Sequence, residues 1–152
     1  MPSRTSISAA TLNEIARLSE AGSEMYDEGD DAGALACWRK AIALLPMPSQ
    51  QWDTAVWLHA AIGDALDTAG DAAGAEKAFR AALNASDGQS DAFVQYMVGV
   101  LALERGDEPD ALDHLRHAYA LSGRELFDGP RGERAWAALW VLDAPVTEPR
   151  GA

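Results

Sequence analysis

Small and apolar residues recur along the chain at three- and four-residue steps: Leu18, Ala21, Gly22 and Met25, then Ala34, Trp38 and Ala41, then Ile62, Gly63 and Leu66, then Ala75, Phe79 and Ala82. That is the spacing of one face of a helix. The stretches that carry it are long, uninterrupted and dominated by alanine, leucine and glutamate, with few β-branched residues, which favours helix over strand. Helices are expected at about residues 8–28, 31–45, 50–69, 72–85, 90–104 and 108–121, with a further amphipathic run from Arg134 to Leu142. The expected fold class is all-α.

Three Gly-Asp dipeptides punctuate the pattern, Gly29-Asp30, Gly70-Asp71 and Gly106-Asp107, at offsets of 41 and 36 residues. In each, a turn glycine precedes an aspartate able to cap the following helix, and Pro109 falls in a first helical turn, where proline is tolerated. Around them a glycine in the first helix of a pair (Gly22, Gly63, Gly99) matches an alanine and a bulky residue in the second: Ala34 and Trp38, Ala75 and Phe79, Ala111 and Leu115. A missing side chain facing a small one lets two helix axes approach closely. This pattern resembles the tetratricopeptide repeat (TPR), a helix pair of roughly 34 residues. The resemblance implies a solenoid of three repeats, about residues 15–48, 56–89 and 92–125, in one domain spanning 8–143. The insertion at residues 47–53 is expected to lengthen the second repeat's first helix, and the run at about 130–142 to cap the last apolar face. Residues 1–7 and 144–152 are expected to be flexible.

In proteins of this repeat family, fixed positions of each first helix line a concave groove. Carried onto this chain they are Ser19, Ser23, Tyr26 and Asp27, then Trp57, Asp64 and Asp67, then Phe93, Tyr96 and Glu104. The expected groove is aromatic and acidic, with no lysine or arginine at those positions, so it lacks the basic residues with which chaperone-cofactor TPR domains clamp a terminal carboxylate. Aromatic rings beside carboxylates suit an arginine- or lysine-rich guest. The partner-binding residues are therefore expected to be Tyr26, Asp27, Trp57, Asp64, Asp67, Phe93, Tyr96 and Glu104. Trp57 and Phe93 have an alternative use as packing between repeats, and acidity an alternative use as a solubility device.

Charge points the same way. The 152 residues carry a formal net charge of −12, which disfavours nucleic acid and anionic lipid and favours a basic protein partner. Cys37 is the single cysteine, so it has no partner for an internal disulfide, and its place beside Trp38 in a packed helix suits an inert thiol. The N-terminal residues lack the apolar core of a secretion signal and no stretch is long enough to span a bilayer; the expected location is the cytoplasm. His114 and His117 lie three apart near Asp110 and Asp113, but no HExxH, paired CxxC or glycine-rich phosphate loop accompanies them. The acids Glu24, Asp27, Glu28, Asp30 and Asp31 straddle a helix end, where capping and solvation account for them. No enzyme activity, metal or cofactor is expected.

Two segments narrow the resemblance: VWLHAAIGDALDTAGDAAGAEKAFRAALN, and the stretch from Phe93 through HAYALSGRELFDG, in which Arg124, Glu125, Leu126, Phe127 and Asp128 carry the tail motif. They resemble a group of small bacterial TPR proteins encoded beside secreted polymorphic toxins, some of which act as immunity proteins or loading adaptors. What the resemblance implies is a cytosolic immunity protein that neutralises a cognate toxin by stoichiometric binding. Two other readings are a secretion chaperone or scaffold without inhibitory activity, and a subunit that self-associates through an exposed end carrying Trp136 and Trp140.

Overall fold

A computed structural model describes residues 6–142. The expected flexible segments at 1–7 and 144–152 lie outside the described residues except for Ser6 and Ile7, and Ile7 packs against the core of the first helices. Among the described residues there are seven α-helices and no strand: α1 (Ala9–Asp27), α2 (Asp31–Ala43), α3 (Asp53–Thr68), α4 (Ala72–Leu83), α5 (Ala92–Glu104), α6 (Glu108–Ser122) and α7 (Gly129–Leu142). Their packing divides the chain into two compact units, one ending at Gln89 and one starting at Ser90.

The first unit holds two helical hairpins, α1 with α2 and α3 with α4, joined by contacts of α2 with α3. Its turns are built alike. After α1, Gly29 takes a φ of 85° and the backbone N–H groups of Gly29 and Asp30 donate to the carbonyls of Tyr26 and Met25, at 3.0 and 2.8 Å. After α3, Gly70 takes a φ of 87°, with Gly70 and Asp71 donating to Asp67 and Leu66. This pairing satisfies the orphan carbonyls of a helix end, and the left-handed backbone it needs is one glycine adopts at no cost. The aspartate then closes the next helix: Asp30 and Asp71 each accept from the N–H three residues on, Gly33 and Gly74, at 2.9 Å.

Within the hairpins the glycine-to-bulky pairing is literal. A Cβ on Gly22 would lie 2.5 Å from the Trp38 indole, and one on Gly63 2.7 Å from the Phe79 ring. Trp38 and Phe79 fill those spaces almost completely buried, and the core around Trp38 includes Ile15, Leu18, Leu45, Leu58 and Ile62.

The insertion differs from expectation. It does not extend α3 at all: Ser49–Gln51 form a single 3-10 turn, and α3 starts at Asp53 after Trp52 in extended backbone. Two prolines, Pro46 and Pro48, break the helical path, because each biases the residue before it away from helix and offers no N–H. The Trp52 indole N–H donates to the Pro46 carbonyl at 2.9 Å, which ties the insertion back on itself.

The second unit contains the hairpin α5–α6 and the helix α7, which packs on both. Gly106 and Asp107 repeat the same turn, with a Cβ on Gly99 falling 2.7 Å from Leu115. Helix α5 is buried along its whole middle, Val94 through Ala102, including Gln95, whose carbonyl oxygen lies 2.8 Å from His114 Nδ1. The capping helix runs from Gly129 to Leu142, against an expected cap at about 130–142, with Ala135 and Leu139 buried.

Candidate protein-binding face

The last turn of α1 brings Tyr26 against α3. Its hydroxyl donates to Asp64 Oδ2 at 3.1 Å and lies 3.0 Å from the Thr68 hydroxyl, which itself donates to the Asp64 carbonyl at 3.0 Å. The contact with Thr68 favours the phenolate, but burial and the neighbouring carboxylates of Asp64 and Asp31 outweigh it and hold the Tyr26 phenol above its ordinary value. The hydroxyl therefore stays a donor at neutral pH and fixes one oxygen of Asp64 in place.

Aromatic rings continue this surface. Tyr26 lies 5.9 Å from Trp38, and Trp38 meets Trp57 edge-on at 6.3 Å and 87°. Trp38 is anchored from below, its indole N–H donating to the Ser19 carbonyl at 3.2 Å. Trp57, two helical turns before Asp64, has 48% of its surface open to solvent. Asp27 is exposed, while Asp64 and Asp67 are half-buried. Ser19 and Ser23 spend their hydroxyls on carbonyls of their own helix, Ile15 and Ser19. The first unit thus joins Tyr26, Trp57 and Asp64 into one connected surface.

The three expected site residues of α5 have other surroundings. Tyr96 is 7% exposed and packs edge-on against Phe127 at 5.3 Å, so its ring belongs to the core of the second unit, and that burial raises its phenol above the ordinary value. Glu104 is gripped by Arg131 of α7, whose Nε and Nη2 both donate to its carboxylate, the second at 3.1 Å. Phe93 keeps 38% of its surface exposed. No lysine or arginine was expected at the groove positions themselves; the arginine seated on Glu104 comes from α7, outside them.

Thr68 belongs to the first unit's face without having been singled out for it, and buried Trp38 supports that face from the core. Thr68 stands four residues after Asp64, the spacing of neighbours on a helix surface, which is the signal that would have found it. Asp31 had been assigned to capping and solvation, yet its charge acts on Tyr26. Among the described residues no group of three or more histidine, cysteine or acidic side chains is arranged to hold a metal ion, and no helix is long and apolar enough to cross a membrane.

This helical framework is similar to solved structures. The Arabidopsis OM64 TPR domain aligns over 85% of this chain and 96% of its own length, with a TM-score of 0.66 at 15% identity. The fold is a TPR fold. The C-terminal TPR-containing domain of a Plasmodium falciparum FK506-binding protein aligns over 85% of this chain and 90% of that one, with a TM-score of 0.70 at 14% identity. No protein-family model and no curated protein sequence matches the chain. In TPR terms the connected face of Tyr26, Trp57 and Asp64 comes from the first helices of the first two repeats, α1 and α3.

Proposed function

We propose that this TPR chain is a protein-binding module that takes a cationic segment of its partner on the α1–α3 face, and that the partner is a bacterial toxin domain neutralised by stoichiometric occlusion. The observation that carries the reading is that α3 presents a half-exposed indole, Trp57, and two helical turns further on a carboxylate, Asp64, held in position by Tyr26. A rigid ring gives buried area at little entropic cost, and a fixed carboxylate two turns along the same helix selects a guanidinium or ammonium over a neutral group. Asp27 and Asp67 add attraction at longer range. The net charge of −12 supports the same partner, since a nuclease toxin carries basic surface that an acidic cover can mask. The likeness to immunity proteins in VWLHAAIGDALDTAGDAAGAEKAFRAALN supports the toxin as partner. Phe93, Tyr96 and Glu104 lie in the second unit: Phe93 is partly exposed, while Tyr96 and Glu104 pack and pair inside that unit.

The test is to find a basic toxin domain that the chain captures in its native host and to co-express the two. The expected result is rescue of growth together with a one-to-one complex. In that complex Trp57→Ala should weaken binding by at least about tenfold, the scale of a buried aromatic anchor, and Asp64→Lys by more. A stable complex that leaves the partner active would replace occlusion by a chaperone role. Binding indifferent to both substitutions would remove the α1–α3 face from the interface.

A further inference from the structure

The second unit carries a different kind of surface. Tyr119 of α6 and Trp136 and Trp140 of α7 form a triangle of edge-on rings, with centroids 5.4 Å (Tyr119–Trp136), 5.4 Å (Trp136–Trp140) and 6.4 Å (Tyr119–Trp140) apart. The triangle stands on buried Phe127, 5.5 Å below Trp136. Its outer members are open: Trp140 keeps 53% of its surface exposed, Tyr119 41%, and Val141 beside them 72%. A helix that only closed the end of a stack would turn polar residues outward.

The charge around this patch sets it apart from the rest of the molecule. Residues 114–142 hold four arginines (Arg116, Arg124, Arg131, Arg134) against three acids (Glu125, Asp128, Glu133), whereas the remaining chain holds 8 basic residues against 21 acidic ones. Two copies of so acidic a chain repel each other over most orientations. Close to the patch that repulsion is weaker, since the acids of α6, Glu108, Asp110 and Asp113, stand at that helix's other end. At the rim, Arg124 stacks over Trp136 at 4.7 Å and pairs with Glu133 at 3.3 Å, both being more than half exposed. An apolar centre with both signs of charge at its edge is complementary to itself, which is the requirement of a two-fold interface.

We propose that the α6–α7 face is a homodimer interface, in which the Tyr119–Trp136–Trp140 surface of one copy meets the same surface of a second, and Arg124 of each exchanges Glu133 across the two-fold axis. The open parts of Trp140, Tyr119 and Val141 amount to apolar area on the order of 300 Å² per copy. Doubled, that is roughly half of the ~1,200 Å² at which stable interfaces begin. The dimer is accordingly weak and reversible. It uses residues wholly separate from the α1–α3 face, so it stands whether or not the proposed function does.

Sedimentation velocity of the full chain over a concentration series, from low micromolar to near millimolar, tests this. The expected result is a shift from monomer to dimer mass with no larger species, lost in Trp140→Glu and retained in Trp57→Glu. Val141→Glu, at a position too exposed to disturb folding, should weaken dimerisation as well and guards against a misfolded Trp140 variant, which circular dichroism would reveal. Monomer mass at every concentration, growth into open-ended assemblies, or a dimer untouched by both α7 substitutions would each overturn the proposal.

Discussion

A single absent methyl group sets the spacing of each hairpin. Gly63 faces Phe79 so closely that an added Cβ would sit inside the ring's van der Waals envelope, and Phe79 is fully buried with nowhere to retreat. Gly63→Ala should therefore lower stability by about 1–3 kcal/mol, the cost of overpacking a filled core, despite alanine's better helix propensity. Urea denaturation of the two proteins would show it as a lower midpoint at unchanged slope; an equal or higher midpoint would mean that the hairpin opens without penalty. The same three glycines were legible in the sequence because they recur in register with Ala34, Ala75 and Ala111. Tyr96 was not legible in this way. Its position within the repeat identifies a helix face, but the occupant of that face, Phe127, comes from a non-repeating segment that periodicity does not describe.

At the scale of elements, most of the information lies between the helices. Gly29-Asp30, Gly70-Asp71 and Gly106-Asp107 adopt one geometry, with glycine φ values of 85°, 87° and 89° and the aspartate accepting from the third N–H beyond it. Helix ends were accordingly readable to within a few residues wherever a Gly-Asp pair stood, and misplaced where prolines governed the chain at 46–52. Since Asp71 caps α4 without touching the core, its removal isolates the cap. Asp71→Ala should cost about 1 kcal/mol, and Asp71→Asn much less, because the amide oxygen still accepts from Gly74. Equal losses for alanine and asparagine in thermal unfolding would show that the negative charge at the helix start, rather than the hydrogen bond, supplies the stabilisation.

On the scale of the whole molecule, composition and position give different kinds of information about binding. The all-α TPR architecture was readable from the repeat period, and the charge of −12 is what the proposal of a basic partner starts from. The resemblance already put Tyr26 and Asp64 on one expected groove, but their direct hydrogen bond needed the fold, because they are 38 residues apart in the chain. This separation of roles has a kinetic consequence. Steering by net charge acts across the solvent and is screened when the Debye length shrinks from about 30 Å at 0.01 M salt to about 8 Å at 0.15 M. Contacts at Trp57 and Asp64 act only after encounter. For a cationic partner the association rate should therefore fall by roughly 10- to 100-fold over that salt range, while dissociation changes little. Trp57→Ala should do the reverse, leaving association nearly unchanged and speeding dissociation. Surface plasmon resonance across the salt series separates the two, and a dissociation rate that climbs with salt as steeply as association falls would mean that charge, and not the Trp57 ring, holds the complex together.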